Sequence, residues 1–267
     1  MKDQVRILGA RGSIPVSGRR FSLFGGATSC VLITLARKSL IIDAGTGLLS
    51  CPPVRAEDGR VPMLLSHPHA DHMLGLSMSS FVMREGYPRL DVYAETHGGL
   101  SPFDQANHLF SPPVWPITPD AFPFPPVFHE IAGDFELGPL HISVMQGSHP
   151  GGVTLFRIES GGKSVVYASD CELKGDLFDR VAAFASGCSL LLCDGQYDEA
   201  ESAIKAGFGH NSYLTAAKLG SVCGAKETRI VHHDPQSRDR TLLKRESSLS
   251  RNYPRCLFAR EGEVILL

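Results

Sequence analysis

The stretch Ser66-His67-Pro68-His69-Ala70-Asp71-His72 constrains this chain more than any other. It follows an apolar run, Val61 to Leu65, that reads as a buried strand, and it precedes Met73 to Met83, whose apolar residues recur at roughly helical spacing. Three imidazoles and a carboxylate therefore sit on one strand-to-helix turn. Such a turn can aim His67 and His69 at one point, and Asp71 and His72 at a point beside it. The His pair at i and i+4, by which a single helix holds one metal, is absent. Neutral imidazole nitrogen and carboxylate oxygen are the donors zinc prefers. A His-rich polar loop with no ligand role is the bland alternative, and four potential ligands between positions 67 and 72 argue against it. The expectation is a two-metal site.

The same placement recurs along the chain. Expected strands end at Ser66-His67, Ser169-Asp170, Cys193-Asp194 and Val231-His232. Ligands at strand ends are held by a rigid sheet and can converge on one edge. Asp43, closing the strand Ser39 to Ile42, is placed to orient a metal-bound His or simply to cap its loop. Gly9-Ala10-Arg11-Gly12-Ser13 could bring backbone N–H groups to an anion. It lacks the Walker lysine and the dinucleotide spacing, so by itself it reads as a turn. Further strands are expected at Val5–Leu8, Ser29–Leu35, Leu90–Ala94, Phe135–Leu137, Leu140–Val144, Val153–Ile158, Ser164–Ala168, Ser189–Cys193 and Thr228–Val231. Helices are expected at Leu177–Ala185 and from Tyr213 to Leu219, the latter capped by Asn211 or Ser212. The tail from Cys256 reads as a hairpin or strand pair. A two-fold repetition, strands then helix twice over, is visible but weak.

At 267 residues the chain could form one large α/β domain or two small ones, and a 43% hydrophobic content suffices for a sizeable core. A net charge of −2 offers no general attraction to nucleic acid. Seven cysteines with no CxxC pair argue against a disulfide framework, and most read as buried small hydrophobes in a reducing compartment. The N-terminus has no apolar signal-peptide core and no run could span a bilayer, so a cytoplasmic protein without membrane partners is expected. Residues 111–126 hold seven prolines, the only Trp and two Phe. Proline denies this segment regular hydrogen bonding, leaving an extended surface loop. Its rings could pack on their own domain, wall a substrate pocket or make a subunit contact.

Taken together, these residues resemble the metallo-β-lactamase fold and, within it, the ribonuclease Z-type phosphodiesterases. Ile7 to Pro15 is similar to that family's opening strand and glycine loop, and Leu40-Ile41-Ile42-Asp43-Ala44-Gly45 to its strand ending in Asp-x-Gly. The His67-x-His69-x-Asp71-His72 pattern is its signature, His149 falls at its next metal His, and Val166 to Asp170 matches the strand with its bridging Asp. Gly209-His210-Asn211-Ser212 is similar to its Gly-His-Ser-Thr turn, and Ile230-Val231-His232 to its last ligand. The resemblance implies a four-layer αββα sandwich with mixed sheets, a single domain over 1–267. It implies two divalent ions, Zn2+ or alternatively Mn2+, one held by His67, His69 and His149, the other by Asp71, His72 and His232, with Asp170 bridging. His233 is the alternative to His232. His97, His108, His129 and His141 match nothing in the family.

Two departures bear on the substrate. Ribonuclease Z carries a tRNA-gripping arm where this chain has only Glu159-Ser160-Gly161-Gly162, and its His-Glu-Ala-Thr strand end is replaced here by Cys193-Asp194-Gly195-Gln196. Both point away from tRNA and towards a small phosphodiester, possibly a cyclic nucleotide, cleaved by a metal-dependent hydrolase. Asp71 would handle the proton of the attacking water. His210, outside the implied ligand set, would steady the phosphoryl group or protonate the leaving oxygen. A homodimer is expected. Thioester or lactone hydrolysis on the same fold, and an RNA-processing nuclease, are the competing readings.

Overall fold

Long apolar runs such as Cys30–Leu35 and Leu190–Asp194 cannot face water on either side, so they become central strands covered on both faces. The computed structural model describes residues 2–54, 56 and 58–267. The first sheet contains β1 (Gln4–Gly9), β2 (Cys30–Leu35), β3 (Lys38–Ile42), β4 (Arg60–Leu64), β5 (Arg89–Ala94) and β6 (Val127–Glu130). The second contains β7 (Phe135–Leu137), β8 (Leu140–Gln146), β9 (Thr154–Ser160), β10 (Lys163–Ala168), β11 (Leu190–Asp194), β12 (Glu227–Val231) and β13 (Cys256–Phe258). A last strand, β14 (Val264–Leu266), returns to the first sheet beside β1. The orders are β14-β1-β2-β3-β4-β5-β6 and β13-β12-β11-β10-β9-β8-β7.

Each sheet is antiparallel over one half and parallel over the other, with the change at β3 in the first and β10 in the second. The repetition that is faint in the sequence is plain in this pairing. The inner faces meet in one apolar core, with Ile33, Leu40 and Ile42 on one side and Phe156, Val165 and Leu192 on the other. A second core lies between the β8–β13 sheet and helices α3 (Asp176–Phe184), α5 (Tyr213–Val222) and α6 (Asp239–Leu249). A third lies outside the first sheet, under α1 (Ser80–Met83) and α2 (Pro102–Leu109). The layers are therefore helix, sheet, sheet, helix, as expected. A remaining short helix, α4 (Glu199–Ile204), starts with a capping box between Asp198 and Glu201.

Several local expectations need correction. Met73 to Met83 is not one helix: 3₁₀ turns at Ala70–His72 and Leu76–Met78 lead into the single turn of α1. The reason is the loop after β3. Ala44 N donates to His72 O and Gly75 N to Ala44 O, and a Cβ on Gly75 would stand 2.0 Å from Gly45 O. The hydrogen bonds of a helix are thus spent on the neighbouring loop. β13 and β14 do not pair with each other but close different sheets. β6, α2, α4 and α6 had no clear signal in the sequence. In the proline-rich segment, Phe122 is buried beside Phe110, Trp115 packs edge-on to Phe110, and Phe124 N donates to Val82 O. Those rings cover the chain's own core. No helix among the described residues is long and apolar enough to cross a membrane, and all seven cysteines are free.

Candidate metal centre

Asp43 after β3 (φ 59°), Asp170 after β10 (φ 53°) and His232 after β12 (φ 61°) are non-glycine residues in the left-handed region at strand ends. Such backbone costs on the order of 1 kcal/mol or more and persists where surrounding structure holds it. Here each residue turns towards the same side-chain cluster. His67 and the turn carrying His69, Asp71 and His72 come from the end of β4, and His149 from the β8–β9 loop.

Asp170 is the centre of the arrangement. Its Oδ2 lies 3.7 Å from His67 Nε2, 4.0 Å from His149 Nε2, 3.2 Å from His72 Nε2 and 3.1 Å from His232 Nε2. One set of donors, from His67, His69 and His149, lies within 4.8 Å of one another, as does a second set from Asp71, His72, Asp170 and His232. An overlapping set joins Asp170 and His232 to Asp194 and His210. The Nε2 atoms of His67 and His72 are buried with no hydrogen-bond partner. An orphaned buried nitrogen costs about 1–3 kcal/mol unless something else satisfies it. Imidazole and carboxylate donors that converge on common points, two of their nitrogens with no other partner, suit a divalent cation such as zinc or manganese.

The surrounding groups fix which nitrogen faces inward. His72 Nδ1 donates to Asp43 Oδ2 at 2.7 Å, and Asp43 also accepts from Ser66 N, Ser66 Oγ and Tyr167 Oη. His149 Nδ1 donates to Gly209 O at 3.2 Å, and His232 Nδ1 to Gln196 Oε1 at 3.1 Å. Each bond leaves Nε2 for the cluster. Burial, together with the charge on His72, holds His67 well below the usual imidazole range, and burial lowers His149 to about 4. On the carboxylate side burial acts in the same direction but is outweighed. Asp170, Asp71 and Asp43 raise His72 well above its ordinary value, and Asp170, Asp71 and Asp194 raise His232 to about 10. Burial works against ionisation of Asp71, yet His72 and His232 pull it well below the carboxylate range. Two carboxylates thus hold positive charge in the second set, as a binding site for a cation must.

All seven residues expected as ligands are brought together, and the two adjacent histidines face opposite ways. His233 turns into the core, donates from Nε2 to Ala259 O at 2.8 Å, and packs edge-on to Phe24. His232 faces the cluster. Of the histidines outside the pattern, His129 pairs with the partly buried Asp91 and His141 with the exposed Glu136, His108 bonds the Asp104 carbonyl, and His97 is buried behind the turn with Nε2 on Ser66 O.

His210 lies beside both donor sets, stacked on His232 at 4.6 Å and edge-on to His149 at 5.1 Å. Its Nδ1 donates to Asp194 Oδ2 at 2.7 Å, while Asp194 Oδ1 accepts from the N–H groups of Gln196 and Asn211. Gly209 is required by contact: a Cβ there would fall 2.0 Å from His149 Nδ1, and its φ is +89°. Ser212 then caps α5, accepting from Thr215 N. Beyond Asp194 at a strand end, nothing local in the sequence signals the Asp194–His210 pairing, the Tyr167 contact to Asp43 or the Gln196 contact to His232.

The model of the beta-lactamase superfamily domain matches residues 38–233, a span that runs from β3 past the last candidate ligand. A curated relative from Mycobacterium leprae (strain TN), itself of uncharacterised function, is 26% identical over 214 residues, covering 73% of this chain and 67% of its own. Among solved structures, the metallo-beta-lactamase fold protein YhfI from Bacillus subtilis superposes with a TM-score of 0.71 at 20% identity, covering 99% of both chains. A diphosphatase from the PhnP family superposes with a TM-score of 0.68 at 16% identity, covering 100% of this chain and 98% of its own. The paired mixed sheets are those of the metallo-β-lactamase fold, and the chain belongs to the beta-lactamase superfamily domain family.

Proposed function

We propose that this protein is a dinuclear metal-dependent phosphodiesterase that hydrolyses a small phosphodiester, with cyclic nucleotides inside that class. The observation that carries the reading is the His210–Asp194 pair, a buried imidazole oriented by a carboxylate beside two donor sets that do not need it. His67, His69 and His149 would hold one divalent ion, and Asp71, His72 and His232 the other, with Asp170 between them. When bound, such ions supply Lewis acidity and lower the pKa of water.

The chain's own groups account for the rest. Asp71 remains a carboxylate, with Oδ2 engaged by Ser13 N–H at 2.7 Å, and offers Oδ1 as acceptor for the proton of the attacking water. His210, tied through Nδ1, presents Nε2 to hold a phosphoryl oxygen or to deliver a proton to the leaving oxygen. The N-terminus of α5 begins three residues after His210 and adds a field favourable to an anion. Thioester and lactone hydrolysis call for no such additional imidazole. β9 and β10 are joined through Gly161 and Gly162 alone, which leaves no arm to grip tRNA. A diphosphatase of the same fold is consistent with phosphorus chemistry here.

The test is a screen of metal-loaded protein against bis-p-nitrophenyl phosphate, a panel of cyclic nucleotides, a tRNA precursor, a thioester and a lactone. Diester cleavage with little action on the precursor is expected. Turnover of the thioester or lactone with no diester cleavage would overturn the proposal.

A further inference from the structure

The glycine loop that follows β1 reads in sequence as a plain turn, yet it is packed on the metal cluster. A Cβ on Gly12 would stand 2.2 Å from His232 Nδ1, so only glycine lets the loop lie flat against that imidazole. Arg11, fully buried, fastens the loop from behind through Nε on Gly25 O and Nη1 on the carbonyls of Asp234 and Ser237. Ser13 then sits at φ 64°, with its backbone N–H on Asp71 Oδ2 and its side chain exposed. Gln196, 5% exposed, completes a ring of contacts: Oε1 to His232 Nδ1 at 3.1 Å and Nε2 to Ser13 Oγ at 3.3 Å.

The ring has a fixed polarity. His232 Nε2 faces the carboxylates of Asp71 and Asp170; as a metal ligand Nε2 would carry no proton, and as an imidazolium both ring nitrogens would carry one, so in either state Nδ1 is a donor and must meet an acceptor. Asp194 Oδ2, 3.6 Å away, is already committed to His210 at 2.7 Å, which leaves Gln196 Oε1. With its oxygen used, the amide can offer Ser13 only N–H. Ser13 Oγ therefore accepts from Gln196, and its own O–H is left to donate at the open side of the cleft. We infer that Ser13 is a substrate-contacting hydroxyl that donates to a phosphoryl oxygen, and that Gln196 is a positioning residue setting both the His232 tautomer and the direction of the Ser13 hydroxyl. The anion in this assignment rests on the phosphodiester reading; the contact to His232 does not.

The experiment uses metal-replete full-length protein, with inorganic phosphate as the anion, its dissociation constant measured by calorimetry, and metal affinity measured separately by chelator competition. Ser13→Gly removes the hydroxyl and relieves the left-handed backbone, so folding is not at risk. It should keep both metals and weaken phosphate on the order of 10-fold, the scale of one hydrogen bond to a charged group. Gln196→Ala should weaken one of the two metals about 10–100-fold, as loss of a partner that orients a ligand does. Gln196→Glu keeps the acceptor for His232 but turns the Ser13 hydroxyl inward, so both metals stay and phosphate weakens. Adding Ser13→Gly to Gln196→Glu should then cost nothing further. Simple repulsion by the new carboxylate would instead give two independent, multiplying losses and overturn the polarity argument. Unchanged phosphate affinity in Ser13→Gly, with diester hydrolysis intact in the wild type, overturns the Ser13 assignment alone. A wild type that binds no phosphate and cleaves no diester overturns the functional reading together with it, while unchanged metal affinity in Gln196→Ala overturns the Gln196–His232 half on its own.

Discussion

On the proposed reading, Asp170 and His210 divide the work of the cluster between holding cations and moving a proton. A single oxygen of Asp170 approaches four imidazoles, two in each donor set. Asp170→Asn keeps the shape and tolerates the left-handed backbone, so the fold should survive. Both sites should weaken by more than the 10–100-fold typical of groups one step removed from the metal. Elemental analysis after dialysis that still finds two ions per chain would refute the bridge. His210→Ala should keep both ions and lower kcat towards a diester by a factor on the order of 10²–10⁴, the range for a positioned acid or base. The loss should shrink when p-nitrophenol leaves, because that oxygen needs little protonation. Metal loss in this variant would instead place His210 in the overlapping donor set with Asp194. The candidate ligands are legible in the sequence because their chemistry is concentrated in a short turn and at strand ends. Asp194 is a strand-end acid like Asp170, but its partner lies 16 positions away on a separate turn, and nothing local in the sequence announces that contact.

At the level of elements, sequence reading succeeds where burial forces one answer. β2, β3 and β11 are apolar runs with no polar face and take their places as central strands. It fails where a neighbour diverts hydrogen bonds, as the loop at Ala44 and Gly45 does to residues 70–78, or where apolar spacing is thin, as in α6, which buries only Leu242, Arg245 and Leu249. The parallel edge formed by β4, β5 and β6 depends on a polar device as well. Asp91 on β5 accepts from Arg60 Nε and Nη2 on β4, each at 2.6 Å, and from His129 Nε2 on β6 at 3.0 Å. Partial burial works to raise the Asp91 carboxyl, but the bonds from Arg60 and His129 outweigh it and bring it below its ordinary value. A carboxyl with a depressed folded pKa stabilises above its unfolded pKa and loses that contribution as pH falls through the folded one. Asp91→Asn should therefore cost about 0.5–1 kcal/mol at pH 7, as a partly exposed pair allows. Urea unfolding should show the gap to wild type closing below about pH 4, near the unfolded carboxyl value. A gap that widens on acidification would contradict the assignment.

On the scale of the molecule, the cluster is a clasp between the two sheets. His67, His69, Asp71 and His72 hang from the first sheet, whereas His149, Asp170 and His232 hang from the second. The set of His67, His69 and His149 and the set of Asp71, His72, Asp170 and His232 each take donors from both halves, so an ion in either would join the two sheets. Ions that bind only the assembled site stabilise the whole fold by mass action, about 4 kcal/mol when free metal is a thousand times its dissociation constant. For a chain of this size each kcal/mol shifts Tm by roughly 2–4 °C. Stripping with a chelator should therefore lower Tm by on the order of 10 °C, and adding back Zn2+ should restore it in a concentration-dependent way. Amide exchange should rise on stripping at the ends of β4, β10 and β12, because those ends carry the ligands, while the centres of β2 and β11, buried in the apolar cores, stay protected. Asp170→Asn should sit near the stripped Tm and respond little to added zinc. A Tm that is the same with and without metal, or exchange that rises only in loops of one sheet, would mean that the ions do not join the halves.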